Sequence, residues 1–478
     1  MEAELITCDK EGTWAYSTLE RRLPKIVAEV VEDNPDFLTS EARQGLVSLQ
    51  EELIEHSPIA AFQPASAAEE AAATDLEEWR AYVAPMEGKS WKEVPFYWGE
   101  AYLYRRILSH CWRPVASEKQ AATRWWDPFA KKKDAGTKES LNVMLAIASS
   151  MLSMLEETDN AKTRGEAGGD SAAPLLGKKE ESIILRFLLR SLWGNRADMS
   201  LFSITEDPLV LSEKQRAHHE GKEDEKERED RHKAGLDALL SDDSLPVCEK
   251  LLNLANSPSS DALRIDIILD NAGLELFSDL CFAHVLVSLI PSCTVHLHLK
   301  EYPTFVSDAT PQDIERLLSA LEDSVAGHDE EQRMKQLVPT WRGHIAQGHW
   351  KLRSHRFWNS PLFFSEMKGR CFSLYSDLIN SHMIFVKGDA NYRRLVEDRY
   401  WPPTTSFQSL LSSLNKQHEG CYNRLRFVAL RILKSDVVVG MRDMAHVQQV
   451  EAEDEQWKVD GKWGVIQFYQ AEHEEESF

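Results

Sequence analysis

The sequence predicts an α/β protein in which a mainly helical first part, residues 1–255, precedes an α/β part, residues 256–478, built on a mostly parallel sheet. Three observations carry this. Apolar residues recur at helical spacing through the first part. Beyond about residue 255, short runs rich in β-branched residues alternate with helical segments. Several of those runs are apolar on both faces, as strands covered by helices on both sides must be.

In chain order, Leu19, Leu23, Ile26, Val27 and Val30 mark one amphipathic helix, and Leu141, Met144, Leu145, Ile147 and Ala148 mark another. Glu181–Trp193 (ESIILRFLLRSLW) reads as a largely buried helix. Two polar stretches interrupt this part. Residues 156–181, rich in Gly, Ala and charge, read as a loop or disordered insertion, and residues 212–233 as a solvated helix or a disordered segment. In the second part, strands are expected at Ile265–Leu269, Thr294–Leu299, Met383–Val386, Phe427–Leu433 and Val465–Phe468. Helices are expected between them at Leu274–Leu289, Pro311–Val325 and Phe407–Leu414.

Bulk properties narrow the function. With 478 residues, 42% of them hydrophobic, and 14 tryptophans, the chain is able to bury a large core. A net charge of −23 argues against broad binding to nucleic acid or anionic membrane, both of which need a basic footprint. It leaves room for a phosphorylated metabolite, since a few cations focused in one cleft suffice. No apolar run is long enough for a transmembrane helix, and the first residues lack the basic start and apolar stretch of a signal peptide. Seven scattered cysteines without a CxxC fit a reducing compartment, so a cytoplasmic location is expected.

In parallel sheets, ligands sit beyond the C-terminal strand ends. At the first such end (IILDNAGLELF), Asp270 and Asn271 offer hard oxygen ligands for Mg(II) or Mn(II), and Gly273 opens a helix whose N-terminus favours an anion. An ordinary capping pair is the alternative reading. At the second (HLHLKEYPTFVSDAT), Asp308 is placed to be a third ligand or else a cap, and Lys300 to meet a phosphate; His296 and His298 read as packed rather than ligating. At the third (MIFVKGDANYRRL), the strand runs into Lys387-Gly388-Asp389 and then Asn391, Tyr392, Arg393 and Arg394, and a glycine followed by amides and arginines makes an oxyanion cradle. A fourth strand brings Arg431 and Lys434 to the same edge, and Lys434 supplies a point charge for phosphate. Phosphate-loop, nucleophile-elbow, HExxH and zinc-type patterns are missing, as is a glycine-rich cofactor turn.

With these residues placed, the sequence resembles the damage-control phosphatase family, in its sugar-phosphate branch that includes a protein reported as an acidic-residue methyltransferase. The resemblance runs through SWKEVPFYWGEAYLYRRIL (90–108), SLWGNRADMSL (191–201), LDNAGLELFSDL (269–280), YPTFVSDAT (302–310), FWNSP (357–361), KGDANYRRL (387–395), LRILKSDVVVG (430–440) and GKWGVIQF (461–468). It implies a helical domain packed on an α/β domain with a mostly parallel, Rossmann-like sheet, and one divalent ion (Mn, Co, Ni or Mg) on Asp270, Asn271 and Asp308. Implied too are substrate contacts from Asp389, Asn391, Tyr392, Arg393 and Lys434, and hydrolysis of sugar phosphates such as fructose 1-phosphate and fructose 6-phosphate. Glu100, Asn195 and Asp198, from its matched stretches, are candidates for the opposite wall of the cleft or for interdomain hydrogen bonds. Two departures stand out: the family's Arg-Thr-x-Lys reads Arg431-Ile432-Leu433-Lys434 here, and Ala390 replaces a leucine.

The expected reaction is metal-assisted attack of water on the phosphoryl group, with Lys434 and Arg393 stabilising charge on its oxygens. The rival readings are an S-adenosylmethionine-dependent protein-glutamate carboxyl methyltransferase and a non-enzymatic interaction scaffold.

Overall fold

The computed structural model describes residues 3–112, 126–165, 176–195, 236–257, 262–290, 292–324 and 331–471. Its centre is a seven-stranded sheet of β1 (Leu239–Asp242), β2 (Arg264–Ile268), β3 (Thr294–Leu299), β4 (Trp350–Ser354), β5 (Met383–Lys387), β6 (Arg426–Ile432) and β7 (Gly464–Gln470), in the order β1-β7-β6-β5-β2-β3-β4. From β6 to β4 every pairing is parallel. β7 runs against β6, and β1 runs with β7.

Strand alternation divides the core in two. Ile265, Ile267, Met383, Phe385, Val428 and Leu430 face one side, packing with Phe187, Trp193, Phe277 and Trp341 of the covering helices. Ile268, Ile384, Val386, Phe427 and Ala429 face the other, packing with helices from the first hundred residues and with the segment around Phe357 and Phe364. Residues on either side of 255 therefore share one sheet and both halves of the core. β1 pairs with β7, and Lys178–Trp193 and Ser244–Ala255 pack in the same cluster as Leu274–Leu289.

The strand at Thr294–Leu299 and the helix at Leu274–Leu289 have the expected bounds, and four other expected strands shift by one or two residues at their ends. Two strands escape the sequence reading. β1 and β4 are edge strands, and β4 (WKLRS) has only Trp350 fully buried, so neither carries the apolar run of a central strand.

The loop expected over residues 156–181 is corrected at both ends. A helix runs Ala130–Gly165, and the next begins at Lys178. Met144, Ile147, Ala148, Met151 and Leu155 form a continuous buried stripe, and Thr158 beyond them is buried too, so the helix persists into polar sequence because one face stays covered. The polar stretch 212–233 lies outside the described residues. Among the described residues, no helix is long and apolar enough to cross a membrane.

Candidate active site

β6, β5, β2 and β3 are neighbours, and the segments leaving their C-terminal ends wall a single cavity. Asp270, Asn271, Asp308, Asp389, Arg393, Lys434, Glu100 and Asn195 all line it. Asp198 lies outside the described residues.

The first two turns are locked together. Ala272 N–H donates to Ser307 O (2.7 Å) and Ala309 N–H to Asp270 O (2.7 Å), so Asn271 and Asp308 pair as a short antiparallel bridge. From the helical part, the buried Lys133 donates to the Asp308 carbonyl (2.8 Å) and to Asp313 (2.9 Å). Thr310, not Asp308, presents its N–H to Asp313 at the start of the next helix, which removes the capping role considered for Asp308. The loop before Asp308 puts Phe305 (φ 48°) and Val306 (φ 67°) in the left-handed region, which costs a β-branched residue about 1–3 kcal/mol. Phe305 stacks on Tyr97 and packs against Tyr104, tying this loop to the Phe96–His110 helix.

Charge at these turns is poorly compensated. Asn271 Nδ2 donates to Asp270 Oδ2 (2.6 Å) and Glu275 Oε2 (2.8 Å), while Asn271 Oδ1 accepts from Ser307 Oγ. Burial, and then repulsion from Glu275 and Asp308, push the Asp270 carboxyl well above the usual range; Lys300 and Lys434 only oppose this. Asp308 is pushed up to about 6 by burial, which Lys300 offsets in part from 3.3 Å. The Lys300 ammonium approaches the buried Oδ2, which makes no well-aligned hydrogen bond among the described residues. Buried carboxylates that repel one another and an amide oxygen form a donor set suited to a hard divalent cation. The residues present therefore fit the expected metal.

The β5 turn closes over Asp270. Gly388 has φ 84°, and a Cβ there would lie 2.0 Å from Asp270 Oδ2, so glycine is required twice over. The helix Asp389–Leu395 then sorts its residues by phase: Asp389, Ala390 and Arg393 face the cavity. Asn391 and Tyr392 do not line it. Asn391 Nδ2 donates to Lys387 O (2.9 Å), and Tyr392 OH to Gln467 (2.7 Å) beneath the Arg431 guanidinium. Both act as supports, in place of the direct substrate contacts expected.

Arg393 reaches the cavity already clamped. Nε and Nη2 donate to Asp398 (2.8 Å each), Nη1 donates to Glu100 (2.6 Å), and its guanidinium lies over Phe96. It fixes the Phe96–His110 helix against the sheet, and its charge is already shared between two carboxylates. Asp389 Oδ1 accepts from Arg431 Nε (2.7 Å), Lys434 N (3.1 Å) and Ser435 Oγ (3.1 Å). Burial opposes its charge, but Arg431 and Arg393 hold its carboxyl below the usual range.

Asn195 follows Gly194, where a Cβ would lie 3.0 Å from Glu275 Cα, so glycine lets this segment sit tightly against the first turn of the Leu274–Leu289 helix. Sequence reasoning missed Trp14, Arg22, Glu275 and Ser307 in the wall. Arg22 closes a π-helical turn, Thr18–Arg22, a form often found at functional sites, and Trp14 N–H is held by Asp436 (3.0 Å). Nothing in STLERRLP marks that turn. Glu275 stands one helical turn after Asn271, a spacing that was open to notice.

A second acidic cluster, Asp266, His296 and Asp377, also brings ligand-type atoms together. There Arg264 donates to Asp266 (2.8 Å from both Nε and Nη2) and to Asp377 (3.0 and 2.7 Å), and His298 Nε2 meets Asp266 at 2.7 Å. A guanidinium already holds the place a cation would take.

Comparison with known proteins identifies the family. The damage-control phosphatase ARMT1-like domain matches residues 18–450. The damage-control phosphatase ARMT1 of Danio rerio is 28% identical over 96% of this chain and 95% of its own length. That of Mus musculus is 26% identical over 97% and 98%, and that of Homo sapiens 26% over 96% of each. A DUF89 family protein of Pyrococcus horikoshii aligns over 95% of this chain and 96% of its own at 13% identity, with a TM-score of 0.39, too low to carry weight. With the family match spanning both the helical part and the strand-end cavity, the chain belongs to the ARMT1-like damage-control phosphatases.

Proposed function

We propose that this phosphatase hydrolyses small phosphorylated metabolites, sugar phosphates such as fructose 1-phosphate and fructose 6-phosphate among them, in the cavity at the ends of β2, β3, β5 and β6. The observation that carries the reading is the convergence of Asp270, Asn271 and Asp308 with Lys434 in that one cavity. Its volume, about 130 Å³, favours a small substrate.

Asp270, Asn271 and Asp308 would hold one divalent ion, Mn, Co, Ni or Mg, which supplies Lewis-acid polarisation of the phosphoryl group and lowers the pKa of a bound water. Lys434 binds a phosphate oxygen and stabilises the charge that grows there as the water–phosphorus bond forms and the ester oxygen departs. The N-terminus of the Leu274–Leu289 helix adds positive potential on the same side. Asp389 and, from the helical part, Glu100 and Asn195 face the remainder of the substrate and select its hydroxyls. Arg393 keeps Glu100 and the sheet in register rather than meeting the phosphate. Ile432 lines the cavity as an apolar patch, so a substrate hydroxyl gains no partner there.

The names of the relatives favour hydrolysis over the methyltransferase alternative. The test is phosphate release from fructose 1-phosphate and an aryl phosphate by metal-stripped protein resupplied with each ion. Metal-dependent release that vanishes in Asp270→Ala is the expected result. Silence with every ion and both substrates overturns the reading.

A further inference from the structure

Glu275 lines the cavity, yet it belongs neither to the trio that would hold the ion nor to the cations that would meet a phosphate. It sits in the first turn of the Leu274–Leu289 helix, four residues after Asn271, and is 3% exposed. Its Oε2 accepts from Asn271 Nδ2 at 2.8 Å, and its Oε1 lies 3.4 Å from Lys387 Nζ. Lys387 closes β5 immediately before Gly388, and its ammonium also meets Asp279 Oδ1 (3.1 Å) and the Ser191 carbonyl. Ser191 Oγ in turn donates to Asp279 (2.6 Å). Lys387, Asp279 and Ser191 are fully buried, so Glu275 is held from behind by a packed, hydrogen-bonded set of groups.

We propose that Glu275 is a positioning residue for the metal site, fixing which end of the Asn271 amide the ion meets. This role rests on the reading that Asp270, Asn271 and Asp308 hold the ion. A carboxamide has two ends of nearly the same shape, an oxygen that ligates a hard cation and an NH2 that repels one. A carboxylate only accepts, so the end turned towards Glu275 must be Nδ2. Glu275 Oε1 faces the Lys387 ammonium, which leaves Oε2 for the amide. On the other side of Asn271, Ser307 Oγ takes one lone pair of Oδ1, and an ion can take the second.

The same contacts account for an amide rather than a carboxylate at position 271. Asp270 Oδ2 (2.6 Å) and Glu275 Oε2 both press on Nδ2, and a third carboxylate there would meet like charge where the amide meets acceptors. Asp270 is itself a ligand of the ion in this reading. Glu275 stands outside the trio and is the partner left to hold the amide.

Calorimetric titration of Mn(II) into metal-stripped full-length protein tests the role without reading phosphate release. Glu275→Gln keeps the side-chain shape but offers Asn271 an NH2 as readily as an oxygen. The dissociation constant should rise by about 10–100-fold, the usual cost of losing a partner that orients a ligand. The discriminating comparison is the same change in an Asn271→Asp background. That carboxylate has two equal oxygens and no end to choose, so Glu275→Gln should then shift affinity by no more than about twofold, or tighten binding. An equal loss in both backgrounds would mean that Glu275 acts as a ligand or through its charge alone, and would overturn the proposal. If Asn271→Asp binds no ion, the single variant decides. A raised constant with the Tm in chelator unchanged supports the role, and an unchanged constant overturns it. Unaltered protein that binds no Mn(II) would instead remove the metal-site reading itself, and this role with it.

Discussion

Asp266 lies within β2, and Asp270 lies two residues beyond its end; both are buried, yet they occupy opposite electrostatic situations. Around Asp266, burial works against the charge, but His298 and Arg264 overcome it and hold the carboxyl well below its ordinary value. Around Asp270, burial works in the same direction as repulsion from Glu275 and Asp308, and the carboxyl is held well above its ordinary value. The first aspartate has its countercharges built into the chain and strengthens the fold. The second lacks enough of them, and the deficit is what a bound cation would make good.

The largest effect that tests this contrast is on activity. Asp270→Asn should lower metal-dependent phosphate release roughly a thousandfold or more, the equivalent of several kcal/mol of Lewis-acid stabilisation. Metal-free stability, read as Tm in chelator, should stay level or rise, because a repelled carboxylate is gone. A large fall in that Tm would break the contrast.

Next is Lys434→Ala, expected to lose about 10²–10³-fold in kcat/KM, with Lys434→Arg recovering part. An unchanged rate would remove Lys434 from the phosphate site. Asp266→Ala should act on stability instead, costing about 3 kcal/mol in denaturant unfolding by stranding His298 and half of Arg264's partners.

The smallest effect is a pH slope. The Asp308 carboxyl is raised from 3.8 to about 6 in the folded chain. Its charge is therefore disfavoured by folding, and metal-free stability should fall as pH rises from about 4 to about 6. Asp308→Asn should flatten that segment of the curve, as should saturating metal, and an identical slope in the variant would refute the assignment.

The central strands were legible because they are covered on both faces and so must be apolar throughout, as Ile265–Ile268 and Met383–Val386 are. β1 and β4 were not, because an edge strand meets solvent and its sequence resembles a loop. Asp270, Asn271 and Asp308 were legible for a related reason: a turn at the end of a buried strand has few places to go, and polar residues there face the ligand crevice. Helix phase was harder. Asn391 and Tyr392 stand beside Asp389 in the sequence but point into the core, and only the starting angle of a seven-residue helix decides that. Arg393 carries the charge expected of a phosphate ligand, yet Asp398, five residues on in a left-handed turn, takes its fork. Arg22 had no local signal because it comes from the opposite end of the sequence, and its place in the wall exists only in the folded chain.

The antiparallel β7 has a consequence for how the molecule is made. Among the described residues β1 pairs with β7 alone, and their paired residues lie more than two hundred positions apart along the chain. During synthesis, β1 leaves the ribosome long before its neighbour exists, and β6 waits with one edge bare. The strands that lead to Asp270, Lys300 and Gly388 can pair earlier, so the part of the sheet that carries the cavity is assembled before its flank. Closure of that flank is a late, high-contact-order event. A nascent chain halted before Gly464 would present both open edges to any other strand in reach.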